Sequence, residues 1–492
     1  MSATTSYEYK DDVADLLARF TVTVSGDLDP AVRMAAKRAL GDSVAVALGA
    51  LDHHASHVAR RFASDFTTPN GCVLWGTKMR ANPDLAAFVN GSLLRCFDYN
   101  DFYVGDRNSG HPSDMVAGVI TAAEWIGASG EETLVALAVG YEMVGAAFDA
   151  FSTAPGGWDY TNLTAIGACA AFARLLGLTE EQAREAFGIT VIPHFASDEV
   201  ESCELNRRGD LTLWKRFNGT DAVRNALQAC FMAKAGAEAA VRPFTGKNGF
   251  IAKLANTHDP LPVLQDRLAD GVKLSRVTGT YMKLWPVGSV GQSAIRAALE
   301  ARAKVADTAA IREVRVFSEE GAYDHLVTIR QDPYNPISRE TADHSMPYIV
   351  GAAVLDGYIH VDSFDLERVM DPARRAFVSG KVKVFPDPSL GTIKSGKLAR
   401  AAAGYLSRVE IEMEDGTVHH GAALPFPGHP KAPFSDEDIA GKVRANALPF
   451  AGEEVTEQVI TALNSFETLT DVKDFTRLLA FEWKAGKITA AA

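Results

Sequence analysis

Chemistry is concentrated where one helical pattern ends and the next begins. Cys96-Phe97-Asp98-Tyr99-Asn100-Asp101 closes a helix. Gly105-Asp106-Arg107-Asn108-Ser109-Gly110-His111-Pro112-Ser113-Asp114 leads into another. Asp98, Asp101, Asp106, His111 and Asp114 fall within seventeen residues. A histidine held by a carboxylate exchanges protons near neutral pH. Pro112 biases His111 toward extended backbone, and a polar loop between rigid helices is where a site is commonly built. The plain alternative is a solvated loop with capping residues.

Two further clusters carry cations. Arg207-Arg208-Gly209-Asp210 precedes Leu213-Trp214-Lys215-Arg216, a basic island in an acidic chain. Alternating Leu211 and Leu213 before Trp214 suggest burial, which draws Lys215 inward, where lysine or arginine can hold a carboxylate. The alternative is a basic turn in solvent. In Tyr281-Met282-Lys283-Leu284-Trp285-Pro286, apolar flanks desolvate Lys283. Desolvation lowers a lysine's pKa and makes it a usable acid or base. The alternative is an interface lysine whose stem covers apolar surface.

Other chemistries find little support. Gly246-Lys247-Asn248-Gly249 lacks the glycine-rich lead of a phosphate loop, and neither GxGxxG after a strand nor GxSxG is present. A nucleotide cofactor is not expected. Cys72, Cys96, Cys169, Cys203 and Cys230 form no CxxC pair, so neither a disulfide scaffold nor structural zinc is expected. His53, His54 and His57 could ligate a metal from one helix but have no obvious acidic partner. Lys plus Arg total 49 against 62 Asp plus Glu, a net charge of −13, which disfavours nucleic acid and anionic membranes. The acidic N-terminus has no apolar signal core, so a cytoplasmic protein is expected.

The positioning elements are mostly helical. At 492 residues the chain exceeds one ordinary domain. Helical spacing runs through Val13, Leu16, Leu17 and Phe20. Asp29-Pro30 opens a helix over residues 31–51, with Asp29 as a plausible N-cap and Pro30 at the first position. Further helices are expected over 115–127, 131–151, 163–176 and 222–235, with a Thr179–Gln182 capping box. Past residue 271 strands appear: a short one at 272–278, Ile311–Phe317, its neighbour His325–Arg330, residues 381–385, and a hairpin of Ser407–Met413 with 418–425 around Asp415-Gly416. Helices are also expected over 289–304, 344–355 and from Ser435 onward. This is a mainly α chain: a large helical body over 1–270, a smaller α/β lid over 271–432, and a helical tail over 433–492.

The chain resembles the MmgE/PrpD family, which includes 2-methylcitrate dehydratase and cis-aconitate decarboxylase. Five ordered anchors carry the resemblance over nearly the whole length: Phe97–Asp101 with Gly110–Asp114; Trp214-Lys215; Lys283-Leu284-Trp285-Pro286; Thr341-Ala342-Asp343-His344-Ser345-Met346-Pro347-Tyr348; and Gly428-His429-Pro430-Lys431. It implies a homodimer of helical bodies with α/β lids, the tail returning to the body, and a cleft site that needs no metal or organic cofactor. Asp98, His111, Lys215 and Lys283 match the family's site positions. Tyr160 lies near where decarboxylase-like members carry a histidine; here Gly157-Trp158-Asp159-Tyr160-Thr161 has none. His344 and His429 are assigned to structure.

The expected chemistry is dehydration of a small di- or tricarboxylate of the 2-methylcitrate type, with an epimerase, a decarboxylase or a non-enzymatic carboxylate binder as alternatives. Lys215, Arg207, Arg208, Asp101 and Tyr160 would contact substrate. His111 and Lys283 would share the acid and base roles, and Asp98 would orient His111 or share its proton.

Overall fold

A computed structural model describes residues 10–200 and 212–483. Arg207, Arg208 and Cys203 lie outside the described residues. The body is a stack of helices: Asp12–Thr23, Pro30–Gly49, Pro83–Arg95, Val116–Ile126, Gly130–Ala150, Thr161–Leu175, Glu180–Val191 and Asn218–Lys234. Gly130–Ala150 is long and apolar enough to cross a bilayer by composition alone, yet it is enclosed by its neighbours. Its small residues allow that enclosure. A Cβ on Gly140 would meet the Met115 sulfur at 2.5 Å, and one on Gly167 would meet Val144 at 2.6 Å.

Local signals set several helix boundaries. Thr179 and Gln182 form a reciprocal capping box. Asp29 does stand before Pro30, but its side chain makes no cap bond and accepts from Lys273 Nζ at 2.9 Å instead. The close histidines do not share a metal-like face. His53 Nδ1 accepts from the Ala55 amide, and His57 Nε2 pairs with Asp52 at 2.8 Å, the acidic partner not evident from spacing.

The lid holds one four-stranded sheet in the order Val382–Pro386, Ile311–Ser318, Ser407–Met413, Val418–Gly421. The first two strands are parallel and the remaining pairs antiparallel. Parallel pairing needs a long crossover, supplied here by Met346–Asp356 and Pro372–Lys381. Two sequence expectations fail. His325–Arg330 is no strand, because both edges of Ile311–Ser318 are already paired. Instead Glu319 accepts from the Gly321 and Ala322 amides and starts Glu320–Tyr323, which runs into a π-helical turn, Asp324–Thr328. Residues 272–278 form no strand either. Arg276 is held by Glu142 at 3.0 Å and Asp149 at 2.9 Å, which ties this segment to Gly130–Ala150.

Two apolar cores result. One unites residues between Val13 and Met282 with residues between Phe434 and Leu479. The other runs from Tyr281 to Phe426 and includes Val104 from the body loop. The Asp436–Asn464 helix, broken at Gly452 (φ 74°), brings the chain back against Pro30–Gly49. It places Lys442 in the interior. Lys442 Nζ donates to Asp42 Oδ1 at 2.6 Å and to the carbonyls of Lys283 and Tyr99 at 2.8 and 3.3 Å.

Removing one partner of a buried ion pair leaves an uncompensated charge. Lys442→Met should therefore cost about 3–5 kcal/mol in urea unfolding. The double variant Asp42→Asn/Lys442→Met should recover part of that loss. Full additivity of the two single losses would show that the pair is not coupled.

Candidate functional site

A cavity of about 560 Å³ opens between body and lid. The body contributes Arg95, Asp98, His111, Tyr160 and Lys215, the junction contributes Lys283, and the lid contributes Asp324, His325, His344, Lys397 and Arg400. Another cavity, about 630 Å³, lies beside the first helix and residues 265–274; it has no histidine.

Asp98 is the hub. It sits just past Pro83–Arg95 with φ 47°, a conformation uncommon for a residue with a side chain. Lys283 Nζ donates to both the Asp98 carbonyl (2.7 Å) and Asp98 Oδ1 (2.9 Å). His111 Nε2 lies 3.9 Å from the same oxygen, and His344 Nε2 lies 3.7 Å from Oδ2. Burial opposes ionisation of Asp98, but the cationic Lys283, with Lys215 further off, holds the carboxylate well below its usual range. Burial draws Lys283 below the ordinary lysine value, and Asp98 counters part of that.

His111 has the extended backbone expected before Pro112. Its Nδ1 faces the Asp101 carbonyl at hydrogen-bond distance. A carbonyl only accepts, so Nδ1 carries the proton of the neutral ring and Nε2 keeps its lone pair. Burial, then the charges of Arg95 and Lys283, keep His111 neutral well below the ordinary histidine range. The orienting group is thus a main-chain carbonyl, not the Asp98 carboxylate expected from sequence.

His344 lines the same cavity, although its motif reads as structural. Its Nδ1 lies against Asp343 Oδ1 and 3.2 Å from the Glu340 carbonyl. Burial and then Lys215 hold it neutral. Burial pushes Asp343 up to about 8.

The remaining sequence candidates divide. Lys215 is buried on the cavity wall in the short 3-10 turn Leu213–Arg216, while Trp214 faces solvent at 47% exposure, contrary to the expected burial. Tyr160 also lines the cavity. Its hydroxyl donates to Asp114 Oδ2 at 3.1 Å and its ring meets His111 edge-on. A Cβ on Gly110 would come within 2.1 Å of the Tyr160 ring, so only glycine permits this seating. Asp101 is not a cavity residue. Its oxygens accept from the Ser113 amide (2.9 Å) and the Tyr141 hydroxyl (2.8 Å), which locks the loop that presents His111. Burial pushes Asp101 up to about 7. His429 lies elsewhere, bonded to Ala401 and Lys431 and packed on Tyr281, as its structural assignment requires.

Sequence reasoning missed Arg95, His325, Lys397 and Arg400. Arg95 is the last residue of its helix, one step before the stretch already singled out. Lys397 and Arg400 stand on a short lid helix with no motif around them. Among the described residues no group of three or more His, Cys, Asp or Glu side chains is placed to hold a metal ion.

The MmgE/PrpD N-terminal domain matches residues 15–262, and the C-terminal domain of the same family matches residues 285–467. The chain belongs to the MmgE/PrpD family. It is 27% identical to cis-aconitate decarboxylase of Mus musculus over 90% of this chain and 88% of that one. It is 25% identical to 2-methylcitrate dehydratase of Escherichia coli K12, covering 73% and 74%. It is also 26% identical to the alkylcitrate dehydratase phiI of a fungal species, covering 80% and 79%. The cavity of this MmgE/PrpD chain lies between parts covered by the two domain matches: Asp98 and His111 in the first, His344 and Arg400 in the second.

The neutral state of His111 has a measurable consequence. In the unfolded chain a histidine binds its proton near pH 6.5, while folded His111 does not until well below that. Below about pH 6.5 the unfolded state therefore takes up the extra proton, and His111's contribution lowers stability by up to about 1.4 kcal/mol per pH unit. Asp101 and Asp343 act oppositely, because the folded chain protonates them near 7 and 8 and the unfolded chain only near pH 4. The quantity to read is thus the difference between wild type and His111→Gln. Wild-type unfolding free energy should fall relative to the variant's between about pH 6.5 and 5.5. Parallel curves would mean that folded His111 is charged.

Proposed function

We propose that this protein is a cofactor-independent hydro-lyase for a small di- or tricarboxylate of the 2-methylcitrate type, working as a homodimer. The observation that carries the reading is the Asp98 hub, with two neutral histidines and a buried lysine around one carboxylate inside a cation-lined cavity. Dehydration beside a carboxylate needs a base for the α-proton and an acid for the departing β-hydroxyl. It also needs positive charge where the enolate-like intermediate gathers negative charge.

His111 suits the base, since its Nε2 lone pair faces the cavity side of Asp98. It takes the α-proton and becomes an imidazolium, for which Asp98 is the counter-ion. Lys283 suits the acid. An ammonium has three protons, and two of Lys283's are engaged by the Asp98 carbonyl and carboxylate. The third is available to the β-hydroxyl, which leaves as water when the enolate electrons form the double bond. Arg95 and Lys215 supply positive charge for the substrate's carboxylates. His344 faces the second oxygen of Asp98 and can hold a proton in relay.

Decarboxylation is the second reading, favoured by the coverage of the mouse cis-aconitate decarboxylase match. It needs one proton donor, and against it stands the Gly157–Thr161 stretch, which holds Tyr160 where decarboxylase-like members carry a histidine. Epimerisation would use the same two acid–base groups on opposite faces of one carbon.

Purified protein incubated in deuterated water with citrate, 2-methylcitrate, cis-aconitate and substituted succinates, followed by proton NMR, separates these readings. Water loss or addition across a carbon–carbon double bond supports the hydro-lyase. Carbon dioxide release with deuterium in the product supports the decarboxylase. Deuterium at an α-carbon without net change supports the epimerase. On the active substrate His111→Asn should lower kcat by about 100- to 10,000-fold. Unchanged turnover in a folded His111→Asn would remove His111 from the chemistry.

A further inference from the structure

The lid side of the cavity carries a charge arrangement that the proposed acid–base chemistry does not use. Lys397 and Arg400 are three residues apart on the short helix Lys397–Ala403, and both line the cavity. That spacing puts two like charges on one helix face, which is unfavourable without an anion. The Arg400 side chain is only 12% exposed, and its Nε and Nη1 are buried without a hydrogen-bond partner among the described residues. Its nearest carboxylate, Glu319, lies 3.8 Å from Nε. Glu319 is already engaged by the amides of Gly321 and Ala322. Lys397 has an exposed stem, but its ammonium reaches the Ser109 hydroxyl on the loop that presents His111.

The position of Arg400 depends on a glycine. A Cβ on Gly321 would fall 1.8 Å from Arg400 Nη1 and 2.5 Å from its Cζ. The guanidinium therefore lies directly against the Gly321 backbone. No L-side chain at 321 is compatible with that placement.

We infer that Arg400, with Lys397, forms a lid-borne site for a second carboxylate of the substrate, one that takes no part in the proton transfers at Asp98. Arginine presents paired N–H donors that match a planar carboxylate, and two of this residue's donor atoms have no hydrogen-bond acceptor among the described residues. A substrate held this way bridges body and lid, so the site selects for at least two carboxylates. The inference deepens the hydro-lyase reading and rests on it for the identity of the anion.

The test is equilibrium calorimetry, which does not depend on turnover. The probes are citrate and the monocarboxylate 2-hydroxyisobutyrate, with wild type, Arg400→Gln and Gly321→Ala. Circular dichroism melting confirms that each variant is folded. Arg400→Gln should weaken citrate binding about 10- to 100-fold, the loss expected of a charge-assisted contact. It should leave 2-hydroxyisobutyrate unchanged. Gly321→Ala should reproduce the citrate loss without altering any charge. Citrate binding equal to wild type in folded Arg400→Gln overturns the site, as does an equal loss for both probes or no citrate binding by the wild type. Loss of turnover on the whole panel with citrate binding and its Arg400 dependence intact would overturn the hydro-lyase reading and leave the carboxylate site standing.

Discussion

The structure depends on how it accommodates the Asp98–Lys283 pair. Both groups are almost removed from water; the Lys283 side chain is 1% exposed and that of Asp98 is 10% exposed. A charge in such a place persists only when paired and hydrogen-bonded. Lys283 meets that condition by donating to both the carbonyl and the carboxylate of Asp98, with Asp98 in a left-handed backbone conformation. The Lys283 carbonyl is in turn held by Lys442, which the chain delivers from its far end. Three segments distant in sequence thus meet at one point: the end of Pro83–Arg95, the body–lid junction and the returning C-terminal helix.

That convergence sets the Asp98 cavity beside the junction of the two cores. The body must be rigid enough to hold Asp98, Asp101 and His111 in register, and it does so with small residues and close helix contacts around Gly140 and Gly167. The lid sheet itself contributes no residue to the cavity wall. Its crossovers and connecting turns do. His344 precedes the helix Met346–Asp356, and the π-helical turn Asp324–Thr328 begins with Asp324 and His325 on the cavity wall. Such π turns recur at functional sites because they redirect side chains without ending the helix.

Much of this was legible in the sequence, for physical reasons. His111 before Pro112, the capping box at Thr179 and the apolar flanks of Lys283 are local signals, and local signals survive into the fold. Four of the five MmgE/PrpD anchors likewise contribute residues to the cleft, and Gly428–Lys431 does not. What was not legible depends on distant partners. Asp101 looks like a ligand-binding carboxylate until Tyr141, forty residues on, is seen to hold it. His325–Arg330 alternates like a strand, but the sheet has no vacant edge for it. His344 opens a helix and reads as a capping residue, until Asp98 is brought within 3.7 Å of it. Arg400 has no local signal at all; only the bare backbone of Gly321 gives it a place.

The sign of the cavity's charge follows from the same constraint. The chain as a whole is acidic at −13, and its surface repels anions at long range. Within the cleft, Arg95, Lys215, Lys283, Lys397 and Arg400 gather against the carboxylates of Asp98, Asp198 and Asp324. A low-dielectric enclosure magnifies that local excess, whereas salt screens the distant negative field. The cavity therefore attracts an anion by short-range contacts and not by steering from afar. An anion that fills it would add the negative charge that this cationic wall lacks, beside a histidine, His111, that burial keeps neutral. Neutral bases beside fixed cations are the arrangement that lets a carboxylate substrate be bound and deprotonated in the same place.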